Sequence, residues 1–252
     1  MTTVISPADA TTRFSIRHAD RCLVLSHRLQ ECITHAPQLE EEMALANIAL
    51  DLLGQARALY AYAASRLGDG LSEDDLAFLR GADEFENPSL VEQPNGDFAE
   101  VMVRQLLHDL WAIEIWRALS ASTDELLAGV GAKAVKETAY HVRHASEWVV
   151  TLGDSTDEAH ARTQAALDLL WPRTAALFQL DVATAELVEE GIVPDLDHVR
   201  AMWLARLDAI LEDATLVRPA DASVGADVHG REFVSLIDEM QQLHRAFPGA
   251  SW

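Results

Sequence analysis

KETAYHVRHASEW, residues 136–148, lies inside a run of helical periodicity over about 124–152. At about 100° per residue, Glu137, His141, His144 and Trp148 fall within roughly 60° of one another on the helical wheel. Glu and His at this kind of spacing on a long helix is the pattern of a metal site in a bundle core. The apolar stripe of the same helix is Ala134, Val142, Ala145, Val149 and Leu152. Thr138 sits near the middle of that stripe and His141 at its edge, while Glu137 and His144 lie further round, towards the rim. A di-iron bundle needs an inward Glu followed three residues later by His on each of two helices, with carboxylates bridging the irons. Here the inward pair is Thr138 and His141. A threonine hydroxyl can turn to a carbonyl one turn back, but it cannot bridge two irons. The helix therefore reads either as a metal helix of unusual kind or as one whose His141 is hydrogen-bonded at the core edge.

Working outward, apolar positions at helical spacing predict a first long helix over residues 12–35, closed by Pro37. A second begins at Gln38 with Glu40, Glu41 and Glu42 in its first turn, where carboxylates suit the positive end of the dipole. It runs to Leu67 and stops at the Gly-Asp-Gly of residues 68–70. Ser72 caps a short helix, with Asp75 as its capping-box partner. Residues 82–96, ADEFENPSLVEQPNG, read as an irregular loop. A third long helix spans about 97–120, and Thr123 or Asp124 caps the fourth, which ends at Gly153. Beyond it, a fifth helix covers 156–178, with Pro172 kinking it or marking a new start. Shorter pieces cover 182–189 and 195–212, and a last helix covers 231–247 before a tail ending at Trp252. Residues 1–11 read as a lead-in and 214–229 as a loop. The fold class is all-α: a four-helix bundle with additional C-terminal helices, in one domain over 1–252.

Two further helices bear on the metal question. The third carries Asp109 on a face with Phe98, Met102, Gln105 and Trp116; an acid there needs a partner or its pKa rises. It reads as a metal ligand or as the partner of His141 on the neighbouring helix. Glu114 lies well round from it and reads as solvated. Trp111 and Trp116, with Ile113 and Ile115 between them, make this helix apolar around most of its circumference, so it is deeply buried or covered by a partner. The second helix has Asn47, Asp51 and Gln55 on one side, and no histidine occurs between His35 and His108. A Glu-x-x-His pair on the second helix is therefore absent.

Composition narrows the functional classes. The chain has 252 residues, 41 acidic against 19 basic, for a formal net charge of −22. Such a surface repels nucleic-acid phosphates and anionic membranes. The most apolar stretch, residues 43–64, is interrupted by Asn47, Asp51, Gln55 and Arg57 and reads as a buried helix, not a span. No signal peptide is visible in MTTVISPADATT. Cys22 and Cys32, ten residues apart on one predicted helix, lie about 15 Å apart along its axis and cannot bridge. They suit a reducing, cytoplasmic compartment. No phosphate loop, zinc-spaced cysteine pair or nucleophile elbow occurs. His27, His35, His160, His198, His229 and His244 are scattered and read as surface or capping residues.

Four stretches carry a resemblance: LVLSHRLQECITHAPQLEEEMALANIALDLLGQAR (23–57), LVEQPNGDFAE (90–100), KETAYHVRH (136–144) and EMQQLHRAFPGASW (239–252). In this order, over nearly the whole chain, they resemble the C subunits of the phenylacetyl-CoA epoxidases of bacterial phenylacetate degradation. The resemblance implies a ferritin-like bundle, with its core over about 12–152 and accessory helices over about 156–247. It implies a multicomponent oxygenase that uses NADPH and O2, whose A subunit holds the di-iron centre and binds the CoA thioester. The C subunit is then a relative of the A subunit that pairs with it as a scaffold. Set against that relative, Leu52 and Gln55 stand where Glu and His would be ligands, and Thr138 stands for another Glu. Asp109 and His141 are residual ligand-type positions, and the first-helix position falls near Cys22. The resemblance thus implies no catalytic, cofactor or metal residue in this chain, with di-iron in the partner catalytic subunit. Partners would be that subunit, the other epoxidase subunits including the reductase, and a second copy of this chain. The third helix and the LVEQPNG segment are the expected contact surface. The competing reading is an independent ferritin-like metalloprotein or oxygenase using His141, His144, Glu137 and Asp109 in a non-standard site.

Overall fold

The computed structural model describes residues 9–68, 70–179, 182–221 and 228–247. The lead-in before residue 9, Asp69 and the tail after residue 247 lie outside them. Among the described residues the chain is all-α, with ten α-helices and no strand. Four long helices form the bundle: α1 (Ala10–Gln30), α2 (Leu39–Leu67), α5 (Phe98–Leu119) and α6 (Glu125–Gly153). Between α2 and α5 lie the short α3 (Glu73–Phe78) and α4 (Ser89–Glu92). The accessory helices are α7 (Asp157–Leu170), α8 (Val182–Glu189), α9 (Leu196–Asp213) and α10 (Arg231–Ala246).

Local chemistry sets most of these boundaries. The Asp9 carboxylate caps α1 by accepting from Thr12 N–H at 2.9 Å, and Asp124 does the same for α6 through Leu126 and Leu127. Gly68 ends α2 at φ 73°, a left-handed conformation that glycine adopts without Cβ strain. Ser72 and Asp75 form the reciprocal capping box of α3. Pro172 lacks an N–H, and the chain tightens there from α7 into a 3₁₀ segment, Trp171–Phe178. The first helix stops five residues earlier than its periodicity suggests. Residues 31–35 are turns in which Thr34 takes φ 80°. Cys32 therefore leaves the helix, and both cysteines are free and buried. Within 82–96, α4 is a helical turn whose Leu90 and Val91 are fully buried, so this segment is more ordered than a loop.

The long helices pair as two hairpins, α1 with α2 and α5 with α6, and α2 packs on α6. Close approach of α6 to the end of α5 needs Gly131. A Cβ there would sit 2.6 Å from the backbone nitrogen of Ser120. The accessory helices α7 and α9 cover the outer side of α5, and the Trp203 indole of α9 donates to the Leu107 carbonyl at 2.9 Å. As a result 17 of the 22 residues of α5 are buried. Its apolar circumference is explained by this chain's own helices, which removes α5 as a contact surface for a partner. Glu114, expected to be solvated, is instead held by Arg117 at 2.6 Å and Arg206 of α9 at 3.2 Å. No helix among the described residues is long and apolar enough to cross a membrane.

The LVEQPNG segment also turns inward. Arg104, buried on α5, donates to the Gln93 carbonyl and to Asn95 Oδ1, each at 2.6 Å. Glu92 accepts from Gly230 N–H at 2.9 Å and pairs with His229 at 2.7 Å. His229 also contacts the Phe85 carbonyl at 2.8 Å. It is thus a clasp between α4 and the start of α10 and not a surface residue. The segment serves the fold as an internal tie.

Candidate functional site

The residues singled out by the sequence meet in the bundle centre, but in pairs. Helical phase turns His141 and His144 of α6 towards α2, which offers two acids, Glu41 and Asp51. His141, fully buried, places Nε2 3.2 Å from Asp51 Oδ2. His144 places Nε2 2.8 Å from Glu41 Oε2, and the Trp148 indole donates to that same oxygen at 2.8 Å. Each imidazole is thus engaged with its own carboxylate, and their Nδ1 atoms have no partner.

Asp109 is not bonded to His141. Its two oxygens are taken on its own helix: Gln105 Nε2 donates to Oδ2 at 2.8 Å and His108 Nδ1 meets Oδ1 at 2.7 Å. The cause is geometric. Gln105 lies one turn back on the same face, and His108 folds its ring against its neighbour. Burial lowers the His108 pKa well below its ordinary value, so at neutral pH the ring is uncharged and donates from Nδ1–H to the Asp109 carboxylate. Burial pushes the Asp109 carboxyl up to about 6, with the nearby His141, Gln105 and Arg21 pulling it partly back.

The remaining positions hold uncharged groups. Leu52 is buried in the apolar core, and Thr138 is buried on the inner face of α6. Gln55 is buried on α2. Its amide donates to Glu137 Oε2 at 3.0 Å, and its carbonyl oxygen faces Cys22 Sγ at 3.7 Å. Glu137 also meets Lys133 at 3.2 Å. Burial raises the Cys22 thiol pKa, which keeps it protonated. Glu137, expected at the rim, is therefore linked to α2. The pairing of Glu41 with His144 had no signal in the sequence, because the two are 103 residues apart and a first-turn Glu has an adequate local reason to exist. Among the described residues, no three His, Cys, Asp or Glu side chains are grouped so as to hold a metal ion.

The shifted carboxyl gives a pH signature. A folded pKa of about 6 lies above the ordinary value of 3.8, so the native state holds this proton more tightly than the unfolded state does. Stability from this group should therefore fall as pH rises from about 4 to about 6 and stay low above it. Asp109→Asn should abolish that slope and raise stability at pH 8 by up to about 3 kcal/mol. Denaturant unfolding of both proteins at pH 4.5 and 8 measures it. Parallel pH profiles for the two would show that the carboxyl titrates normally.

Comparison with known proteins locates this arrangement. The C subunit of 1,2-phenylacetyl-CoA epoxidase from Escherichia coli (strain K12) is 43% identical over 245 residues, covering 96% of this chain and 98% of that one. The family model for phenylacetic acid catabolic proteins matches residues 3–252. An all-α, ferritin-like bundle, a full-length family match and extensive identity agree, and the chain belongs to the phenylacetic acid catabolic protein family.

Proposed function

We propose that this chain is a structural, non-catalytic subunit of a cytoplasmic phenylacetyl-CoA epoxidase and pairs with a di-iron catalytic subunit. Its identity with the C subunit of that enzyme supports the assignment to the complex. The observation that carries the non-catalytic reading is the pairing of His141 with Asp51 and of His144 with Glu41 as separate couples. A di-iron centre requires carboxylates that bridge two ions together with imidazoles and open positions. Leu52, Gln55 and Thr138 present no anionic oxygen at the centre, so the residues present do not fit a di-iron group. In this reading electrons from NADPH, passed on by the reductase, reach the partner's iron and not this chain. The alternative, a metalloprotein built on His141, His144, Glu137 and Asp109, would need four residues now held by different partners to converge. Anaerobic loading with ferrous iron followed by elemental analysis tests it. Well under one iron per chain is expected. Stoichiometric iron that is lost in His141→Ala would establish the alternative.

With α5 and the 90–96 segment committed inside the chain, the exposed face of α2 and α6 is the surface we assign to the catalytic subunit. Leu39, Met43, Leu50 and Leu53 are exposed along α2 at i, i+4, i+11 and i+14, on one side of the helix. The chain's two lysines, Lys133 and Lys136, are exposed on neighbouring α6 together with Arg143, and Arg57 is exposed on α2. Lys133 and Arg57 are paired with Glu137 and Glu73, so on a chain of net charge −22 it is Lys136 and Arg143 beside this apolar ridge that suit a partner helix with an apolar stripe and an acidic flank.

A further inference from the structure

Between α1, α5 and the segment that follows α7 lies a small cavity walled by Phe14, His18, Arg21, Trp111, Ile115 and Leu177. Its volume is about 30 Å³, above the roughly 10–15 Å³ that a cavity needs to hold one particle of water size. All six of these wall residues are more than nine-tenths buried, and His18, Arg21 and Trp111 are the ones among them that carry polar side-chain atoms. Each carries a polar atom without a hydrogen-bond partner: His18 Nδ1, Arg21 Nε and Nη1, and Trp111 Nε1. The Arg21 guanidinium lies over the Trp111 ring at 4.3 Å, and His18 stacks on that ring at 5.6 Å. The orphan atoms therefore cluster on one wall.

All four atoms are donors, the histidine in the tautomer protonated at Nδ1. The hydrogen bond that Arg21 does make is a long one, Nη2 to Cys22 Sγ at 3.8 Å. Asp109, the carboxylate whose charge reaches Arg21, gives its oxygens to Gln105 and His108. A buried cation with no carboxylate in hydrogen-bond contact is costly, and burial lowers the Arg21 pKa although the Asp109 charge pulls it partly back. Arg17 also lines the cavity and adds positive potential. A water molecule in this space would accept from at most two of the donors and leave the guanidinium charge unneutralised. A monoanion accepts from all of them, donates nothing and neutralises the guanidinium.

We propose that this cavity is a binding site for a small inorganic monoanion of chloride size, held by Arg21, Trp111 and His18. It is independent of the subunit role assigned above, because none of these residues belongs to the α2–α6 face or to the polar centre's carboxylate couples.

The test uses the full chain and compares sodium chloride with sodium gluconate at equal ionic strength, gluconate being too large for the cavity. Chloride should raise the Tm saturably and gluconate should not. Trp111→Phe, which keeps the ring and removes one donor, should raise the half-saturating chloride concentration about tenfold. Arg21→Met should abolish the response. Crystals soaked in sodium bromide should show an anomalous peak in hydrogen-bond range of Arg21 and Trp111. Equal Tm responses to both salts, a Trp111→Phe variant that responds like the parent, or water in place of bromide would each overturn the proposal. Trp111→Phe retains a packed ring, so the test survives even if Arg21→Met does not fold.

Discussion

Replacing Asp20 by alanine should lower the unfolding free energy by about 3–5 kcal/mol, the scale for removing one partner of a buried ion pair. Asp20 is fully buried on α1. Its carboxylate receives four donors: Nη1 of Arg80 at 3.1 Å, Nη2 of Arg80, the Tyr60 hydroxyl at 2.5 Å and the Glu86 N–H at 2.9 Å. These come from α2 and from the chain between α3 and α4, so one side chain ties three parts of the molecule together. The Arg80 carbonyl, with that of Ala77, accepts from Gln241, which joins α10 to the same node. Burial, and next the Asp20 charge, raises the Tyr60 pKa well above its ordinary value, so this phenol stays a donor at neutral pH. The alanine variant would leave Arg80, 2% exposed, without its counter-ion. Asp20→Asn keeps the shape and one acceptor but not the charge, and should recover only part of the loss. Denaturant unfolding measures both. A loss under about 1 kcal/mol in the alanine variant would mean that the carbonyls of Leu76 and Glu84, which also accept from Arg80, hold the guanidinium without Asp20.

The second large effect concerns assembly. The double variant Met43→Glu and Leu50→Glu should weaken binding to the catalytic subunit by about 100-fold or more. Placing two carboxylates in the apolar centre of an interface buries unpaired charge, each costing several kcal/mol, and about 2.7 kcal/mol already corresponds to 100-fold. Both side chains lie largely in solvent in the isolated chain, at 60% and 63% exposure, so their replacement should leave the Tm unchanged. The new carboxylates would also oppose the acidic flank expected of the partner. Co-purification and titration by light scattering read the outcome. Unaltered binding would remove this face as the contact surface. Loss of a self-association seen in the parent chain, with heteromeric binding intact, would assign the face to a second copy instead.

The limits of what the sequence made legible follow from the range of each interaction. The four long helices are local objects: their apolar periodicity, the Asp124 and Ser72 caps and the Gly68 stop all act within a few residues. The class, the bundle and most boundaries were therefore readable. The early end of α1 was not, because residues 31–35 leave the helix under tertiary constraint from Arg28 and Asn95, which bonds the Arg28 carbonyl at 2.6 Å. Helical phase correctly put His141, Thr138 and Asp109 inside, yet phase cannot say which neighbour a side chain meets. Asp109 was read as a metal ligand or as the partner of His141, and His141 meets Asp51 instead. His229 and Glu92, 137 residues apart, had no local signal joining them. Nothing local marks Arg21 as buried, because the rings it lies over, Trp111 and Trp116, come from α5.

The paired couples of α6, the uncharged Leu52, Gln55 and Thr138, and the kinship with the C subunit of an epoxidase support the proposal that this chain serves an oxygenase without performing its chemistry. Reconstitution measures that directly. The purified chain, its catalytic partner and the reductase are assayed in all combinations for NADPH-dependent conversion of phenylacetyl-CoA to its epoxide. The expected result is no product from this chain with the reductase, and product once the catalytic subunit is added. Sustained epoxide formation by this chain and the reductase without that subunit would contradict it.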